Sequence, residues 1–540
     1  MDDLARQLLS NLEELKGRRL NYDSVNQRIT DYIAPNRGDF IFDNNSELTA
    51  RDRSQNLYDS TAITASQNLA AILLTGLVDP RMKWLKLRVK GKESEEVKKW
   101  LAELEDKLFE VLTSGNSGFA SSIYQLFLDL VWYGTAILNV SKDETDIFFQ
   151  TKHLSEVWIE ENNVGVVDTV YRKFQLTARQ AAQQWGRENL SDNIEDALES
   201  KPHKKFTFIH VVLPTKDLIS IGGTPSTPEK PFSSIYFCTE DKHILSIKGF
   251  EKMPYLVLRW TKRVGEVYGI SPSWNIISDV ETLNAFKEVI LRAAQLEVKP
   301  PLLLPNDGIL GSTLQTFPGG FMIGGIDDEG REAVKPFQTG ANLQIGEYII
   351  KGLETKIEKA YFIDQMQSRE GVQPLTATEA AQRQQNTMGL IAPQTRRIEE
   401  DCLTPLALLL IDHLKDTNNL PQPIPEEIKG EIDMKVEYIG PLSYMQQSNM
   451  LLAYNRFFSN AGTFVQIQPT VMDNFDMDSI IRSAAEKAGI SLDEMVSKQD
   501  VANVRNQRAQ QQQQQQQQVN IAAGAETAAT LAKAGINPQQ

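Results

Sequence analysis

Cysteine and histidine, which build disulfide frameworks and many metal sites, are scarce in this sequence. The two cysteines, Cys238 and Cys402, are too few for a disulfide framework or a four-cysteine metal site. The five histidines include no pair four residues apart and no HExxH motif. We therefore expect buried, unreactive thiols in a reducing compartment, and no metal ion or other cofactor.

Long apolar segments are also missing. The best candidates, 69–78 and 403–411, fall short of the roughly 18 uncharged apolar residues that a membrane span needs. The N-terminus has neither the basic nor the apolar region of a secretory signal. Hydrophobic residues make up 41% and charged residues 24% of the 540 residues. The composition predicts a soluble intracellular protein with about three or four structural units.

An excess of positive charge is absent as well. Lysine and arginine number 56 against 71 aspartates and glutamates, which gives a net charge of −15. Proteins that wrap nucleic acid tightly neutralise its phosphates with clustered lysine and arginine. The charge balance therefore argues against tight wrapping, and it remains compatible with nucleic acid that slides past the protein.

Recognisable catalytic motifs are also absent from the sequence. The sequence has no GxxxxGK[ST] phosphate loop, no GxSxG elbow and no Ser/His/Asp or Cys/His signature. Gly319-Gly320 lacks the Lys-Ser or Lys-Thr that would complete a phosphate cradle. Asp327-Asp328-Glu329 has the pattern of a solvated turn. We expect no enzyme, although an active site dispersed along the sequence stays an alternative.

What the sequence does contain is a mixed α and β region over residues 1–270. Apolar residues at helical spacing predict helices at about 1–34, 57–77 and 93–113, with another after Gly118. Short runs rich in β-branched and aromatic residues then predict strands, interrupted by one helix near 177–185. The predicted strands are 84–89, 135–140, 166–171, 206–212, 234–237 and 255–258.

Two long helices with an insert between them follow. Ser271-Pro272 begins the first helix in the N-cap-then-proline pattern, and the helix runs to Pro300-Pro301, about 40 Å at 1.5 Å per residue. The insert, 301–340, is rich in glycine, proline and aspartate. A second helix returns from about Leu343 to Gln367.

A third helix is predicted after the loop 368–375. It begins at the capping box Thr376-Ala377-Thr378-Glu379 and continues past Pro405, with a break or kink at Pro393. A proline-rich linker at 421–425 and a strand at 434–439 come next.

Four segments follow one another along residues 1–450 in a characteristic order. They are Tyr58-Asp59-Ser60-Thr61 leading to Leu77-Val78-Asp79-Pro80, the helix, insert and helix of 271–367, Thr376-Ala377-Thr378-Glu379-Ala380 with Arg383, and Tyr438-Ile439-Gly440-Pro441-Leu442. Their order and spacing resemble the portal, or head-to-tail connector, proteins of short-tailed bacteriophages. The resemblance implies an α+β, mainly helical subunit that assembles into a ring.

The resemblance also implies a division of the chain. Its regions are a wing (1–270), a first stem helix (271–297), a clip (298–340), a second stem helix (341–367), a tunnel loop (368–375), the long helix and closing strand of the wing (376–444) and a crown (445–507). Residues 508–540, with nine glutamines at 510–518 and an alanine-rich tail, lie outside the shared pattern.

The resemblance further implies roles for individual residues, none of them catalytic or metal-binding. In the tunnel loop, Arg369, Glu370 and Gln373 would approach DNA, while a loop that contacts only protein is an equal alternative. The expected partner-binding residues of the clip are Phe317, Phe321, Asp327 and Arg331. The expected stem-packing residues, which share one apolar stripe on each helix, are Ile276, Val280, Leu283, Ile349, Leu353 and Ile357.

Two cations of the first stem helix have two interpretations. Lys287 and Arg292 either face the channel or pair with Glu288 and Glu297 on the surface, and the second interpretation is slightly favoured. An acidic chain suits a conduit, because each lysine or arginine on a phosphate adds a salt-sensitive holding energy to passing DNA.

The function that the resemblance implies is a channel at one capsid vertex for genome packaging and ejection. The expected partners are further copies of the chain in a ring of about twelve, the large terminase subunit, tail adaptor or head-completion proteins, and capsid, scaffolding or internal core proteins. Double-stranded DNA would pass without specific binding, and no membrane would be involved. The expected location is the virion, after assembly in the host cytoplasm.

Two other classes of protein stay open from the residues alone. The first is a multidomain enzyme with a dispersed site, which would turn over a cofactor or nucleotide. The second is a non-viral helical scaffold or adaptor, which would be an elongated monomer or dimer rather than a closed ring.

Overall fold

The computed structural model describes most of the chain. It covers residues 2–40, 55–79, 83–89, 94–142, 146–303, 329–332, 335–336, 343–363, 389–425, 434–438, 476–487, 495–496 and 500–515. The chain divides into two compact units, Met1–Leu442 and Ser443–Gln540. The first unit combines helices and antiparallel sheets, which confirms the mixed α and β class.

Helices and short strands are distributed along the whole of the described chain. The helices are α1 (Asp2–Tyr32), α2 (Thr61–Leu77), α3 (Glu95–Thr113), α4 (Phe119–Tyr133), α5 (Ala178–Trp185), α6 (Asp192–Ser200), α7 (Thr215–Ser220), α8 (Pro272–Val298), α9 (Leu343–Ala360), α10 (389–398), α11 (Thr404–Asp416), α12 (Met477–Lys487) and α13 (500–515). The strands are β1 (Leu85–Val89), β2 (Thr135–Lys142), β3 (Ile147–Lys152), β4 (Val157–Glu161), β5 (Val167–Thr177), β6 (Lys205–Pro214), β7 (Phe232–Cys238), β8 (Ile244–Phe250), β9 (Tyr255–Arg259), β10 (Thr261–Lys262), β11 (Gly269–Ile270), β12 (Leu302–Leu303), β13 (Lys335–Pro336) and β14 (Met434–Tyr438).

The largest sheet is an antiparallel meander in the order β4-β5-β6-β7-β8. Its central strand β6 is buried on both faces, because successive side chains point to opposite sides of a strand. Phe206 and Phe208 pack with α5 and α6 on one face, and Ile209 and Val211 pack under α1 on the other. This burial on both faces explains why the sequence of β6 is a nearly continuous run of apolar residues.

Helix α1 is fixed to this sheet by an apolar stripe and one buried arginine. Leu8 and Leu12 are fully buried against the sheet. Arg19 is 1% exposed, and its guanidinium donates to the carbonyl of Leu154 at 2.7 Å and lies 4.4 Å above the ring centre of Trp158. The buried cation is balanced by Asp23 at 2.9 Å.

A second, three-stranded sheet in the order β3-β2-β9 packs with α2, α3, α4 and α8 in the main core. Gly134 joins α4 to β2 at a φ of 77°, and a Cβ there would lie 2.6 Å from the carbonyl oxygen of Gly269. Only glycine allows this close approach of two backbones. The contact places the start of α8 directly beside the end of α4.

The C-terminal part of the first unit returns to its N-terminal part. Strand β14 pairs antiparallel with β1, and Trp84 stacks on Tyr438 with ring centres 6.4 Å apart. The indole of Trp100 donates to the carbonyl of Pro421 at 2.9 Å. Both strands were predicted from the sequence, but their pairing was not.

Two predicted helix features are wrong. Of the break or kink predicted at Pro393, the break is wrong, since α10 is continuous over 389–398; a π turn follows it at Glu399–Leu403. Pro405 explains why the π turn lies at this position. Proline has no N–H to donate to the carbonyl four residues earlier, and its ring crowds that carbonyl. Helix α9 ends at Ala360 rather than near Gln367, because Phe362 takes a left-handed conformation with φ of 62°.

The second unit is described only in part. Helix α12 and helix α13 are joined by Asp478 and Arg505, whose Oδ2 and Nη1 atoms are 2.5 Å apart. Helix α13 extends into the glutamine run as far as residue 515, and its side chains are almost all exposed. Among the described residues of the whole chain, no helix is long and apolar enough to cross a membrane.

Candidate functional site

The candidate site is the hairpin formed by α8 and α9. The hydroxyl of Ser271 accepts a hydrogen bond from the backbone N–H of Trp274 at 3.1 Å and donates to the carbonyl of Trp132 at 2.7 Å. Ser273 donates to the carbonyl of Val131 at 2.9 Å and bonds the Tyr361 hydroxyl at 2.7 Å. The first turn of α8 and the end of α9 are therefore anchored together to α4.

The apolar residues of the hairpin become less buried with distance from the anchor. Near the anchor, Ile276, Val280 and Leu283 are buried at 4%, 3% and 0% exposure, and Ile357 is also fully buried. Further along, Ile349 and Leu353 are half-buried. Ile276, Val280, Leu283 and Ile357 thus belong to the main core, and Leu353 packs against it, as does Ile350 of the same helix.

Beyond this junction the two helices contact each other closely. A Cβ on Gly346 would lie 2.4 Å from Cδ1 of Ile290, so a larger residue there would require the Ile290 side chain to shift. Lys356 bonds Asp279 at 2.8 Å across the pair. These contacts show that the helices run antiparallel.

A buried ion cluster joins both helices to the segment before α2. Lys287 bonds Asp59 at 2.5 Å and Glu354 at 2.7 Å, and the Asp59 side chain is 2% exposed. Burial lowers the pKa of Lys287, but the hydrogen bonds to the two carboxylates outweigh it and the net shift is upward. Lys287 therefore stays charged and holds three separate segments together.

Asn284 completes this cluster. Its side-chain oxygen accepts from the backbone N–H of Tyr58 at 2.7 Å, and its side-chain nitrogen donates to the carbonyl of Asn56 at 3.1 Å. On another side of α8, Glu281 forms a two-pronged ion pair with Arg28 of α1 at 2.6 and 2.7 Å. Helix α8 is thus held to α1, to the segment before α2 and to α9.

The charged residues of α8 only partly follow the sequence expectation. Arg292 pairs with Glu288 one helical turn away, as the favoured interpretation held. Lys287 instead bonds the distant carboxylates of Asp59 and Glu354. The sequence signal that could have indicated this cluster is the Tyr58-Asp59-Ser60-Thr61 segment, because it contains Asp59 and carried part of the family resemblance.

Most of the predicted contact residues lie outside the described residues. This holds for Arg369, Glu370 and Gln373 of the tunnel loop, and for Phe317, Phe321 and Asp327 of the clip. Arg331 is described, and it is exposed and paired with Glu329. The first and last parts of the insert are tied by β12 and β13, which pair antiparallel.

Within the described residues, no cluster of histidine, cysteine, aspartate and glutamate could hold a metal ion. Both cysteines are buried, and burial raises the pKa of each thiol. His210 is buried between Tyr255 and Ser234, which it bonds at 2.6 and 2.8 Å, and burial holds its pKa well below the ordinary value. These groups are arranged for packing rather than for nucleophilic chemistry.

Comparison of the sequence with known protein families identifies the class of protein to which this chain belongs. Residues 5–496 match the family described as bacteriophage head to tail connecting protein. The match spans nearly the whole chain, so the chain belongs to this family. It is a portal protein of a bacteriophage, and its role in the packaging channel follows from that membership.

Three relatives carry the same designation. The chain is 28% identical to the probable portal protein of Bordetella phage BPP-1, over 98% of this chain and 96% of that protein. It is 24% identical to the portal protein of Salmonella phage epsilon15, over 93% and 90% of the two chains. It is 20% identical to the portal protein of Escherichia phage T7, over 79% and 78%. The family is a structural one.

Proposed function

We propose that this chain closes with copies of itself into a ring of about twelve subunits around a central channel, because a repeated heterologous contact closes when its rotation is right. The observation that supports this most directly is the α8–α9 hairpin. Its anchored part is buried in the first unit, while its distal part leaves apolar side chains exposed. Neighbouring subunits would supply the missing cover.

The regions of the subunit follow from this proposal. Helices α8 and α9 form the stem, residues 298–340 the clip that binds the large terminase subunit and later the tail adaptor, and 368–375 the tunnel loop. Residues 445–507 form the crown, which faces capsid, scaffolding or core proteins. The ring assembles in the host cytoplasm and ends at the capsid vertex.

Charge supports the passage of DNA. The chain carries a net charge of −15. Two cations of the hairpin, Lys287 and Lys356, are engaged by carboxylates. Paired cations leave fewer contacts for phosphates, and so weaken the salt-sensitive attraction that would hold passing DNA.

The ring is tested by negative-stain electron microscopy together with mass photometry of the purified full-length protein. We expect rings with a central hole and a mass near twelve times 60.8 kDa. A protein that stays monomeric at high concentration and with scaffolding protein present would contradict the proposal. Turnover of a nucleotide or cofactor by the purified chain would instead support the enzyme alternative.

A further inference from the structure

Exposed apolar side chains are concentrated on the stem hairpin. Of the eighteen large apolar residues that are exposed among the described residues, seven lie on α8 and α9. They are Phe286, Val289, Leu291, Leu296, Val298, Ile345 and Tyr348, with exposures from 37% to 82%. Single exposed apolar side chains are normal on protein surfaces, but their concentration on two helices marks this hairpin as a candidate interaction site.

Helix α8 carries a second apolar stripe in addition to the one that packs inside the hairpin. Phe286, Val289, Ala293 and Leu296 follow one another at steps of three, four and three, which is the spacing of a coiled-coil seam. At 100° per residue, this stripe lies roughly 120° around the helix from the stripe that contains Leu283 and Ile290. The second stripe therefore lies to the side of the contact with α9.

Helix α9 presents a different surface on its own outer side. Ile345, Tyr348, Gly352 and Thr355 have the same three, four, three spacing. Tyr348 is 82% exposed, and a Cβ on Gly352 would meet no atom within 4 Å. The outer side of α9 therefore has an exposed tyrosine beside a glycine. The space over the glycine is empty, and a side chain from another helix can pack there.

The polar residues of the hairpin lie on a third side. Glu288, Arg292 and Gln295 fall on one strip of α8, and Glu347 and Lys351 fall on the exposed side of α9. Arg292 is 72% exposed and pairs with Glu288 within this strip. A contact made through the two apolar surfaces would leave Glu288 and Arg292 in water, so this ion pair would not have to be buried.

We propose that the Phe286–Val289–Leu296 stripe of one copy packs against the Tyr348–Gly352 side of α9 in the next copy. This inference rests on the proposed ring, and it names the surfaces that join neighbouring subunits. A second copy is the occupant that the structure favours, because it covers both unlike surfaces at once and repeats the same contact around a ring. An unrelated partner would cover one surface and leave the other exposed.

Cysteine cross-linking tests the contact directly. The two native cysteines are buried, so Val289→Cys and Gly352→Cys can be introduced without removing them. Treated with a short bismaleimide, the double variant should give a ladder of multimers up to the closed ring on a denaturing gel. A mixture of the two single variants should stop at dimers, and each single variant alone should stay monomeric. Val264→Cys combined with Gly352→Cys is the matched control and should give no ladder.

A charge placed on the stripe gives an independent measurement. Val289→Glu should abolish rings in mass photometry while the circular dichroism spectrum of the subunit stays unchanged. Gln295→Glu adds the same charge to the polar strip of the same helix and should leave rings intact.

The outcomes separate this inference from the proposed function. Rings of wild-type mass without a cross-linked ladder would overturn the assigned surfaces and leave the ring standing. Cross-linked dimers from Val289→Cys alone would show a symmetric contact and overturn the head-to-tail arrangement. A wild-type protein that never forms rings would overturn the proposed function itself.

Discussion

Asp129 lies in the main core with 1% of its surface exposed, and both of its carboxylate oxygens bond the guanidinium of Arg37. Burial raises its pKa from the ordinary value of 3.8 to about 6, and the bonds to Arg37 and Gln125 offset only part of that effect. The folded chain therefore holds this proton at pH values where the unfolded chain has released it. The resulting stabilisation is complete below about pH 4 and is lost as the pH rises through about 6.

Asp129→Asn removes this titration, so the stabilities of the wild type and the variant should depend differently on pH. The difference in unfolding free energy, wild type minus variant, should fall by about 2 kcal/mol between pH 4 and pH 7. Unfolding followed by intrinsic fluorescence at both pH values measures this difference, and contributions from other acidic groups cancel. Parallel pH profiles would contradict the assignment of this shift to Asp129.

Gly134 is the second residue for which the structure predicts the effect of a substitution on stability. Gly134→Ala would place a Cβ 2.6 Å from three backbone atoms of residues 269–271, in addition to the strain of a positive φ. We expect a loss of about 3 kcal/mol or more in unfolding free energy. Gly222→Ala is the control, because Gly222 has φ of 78° with no atom within 4 Å of its Cβ position, and should cost about 1 kcal/mol. Equal losses in chemical denaturation would show that the close approach is unimportant.

At the scale of single elements, local patterns predicted most helices and strands, and their ends less well. The sequence predicted that α9 continues to about Gln367, whereas it ends at Ala360. The turn at Phe362 is imposed by tertiary packing, since Tyr361 is fully buried and bonds Ser273. Local periodicity carries no information about such a distant partner.

The ion cluster of the hairpin illustrates the same limit. Sequence reasoning considered only local glutamates as partners for Lys287, whereas Asp59 lies more than two hundred residues away along the chain. The roles given to the tunnel loop and clip came from family resemblance rather than from residue chemistry, and they remain predictions.

Deletion of 368–375 tests the tunnel loop as an element. We expect ring formation to continue, because the surfaces proposed to join subunits lie on α8 and α9, and we expect DNA packaging or retention to be impaired. Mass photometry of the variant and a packaging assay with it measure the two effects separately. A variant that fails to assemble would show that the loop is a packing element.

At the scale of the whole molecule, β14 is the only strand that pairs with β1 among the described residues. A chain ending after residue 425 lacks β14, while a chain ending after residue 442 keeps it and loses only the second unit. We expect the longer truncation product to be folded, and the shorter one to lose the fixed packing of Trp84, which is 3% exposed against Tyr438. Near-ultraviolet circular dichroism of the two products measures this. Identical spectra would mean that β14 is dispensable.

The pairing of β1 with β14 also determines when the first unit can close during synthesis. The two strands are separated by the whole stretch from Val89 to Met434, including the hairpin. At about 5–20 residues per second, a ribosome needs roughly 20–70 s to bridge that interval. Strand β1 has an unpaired edge throughout this time, and unpaired edges are sites of aggregation. Conditions that slow aggregation during this interval should therefore raise the yield of folded subunits.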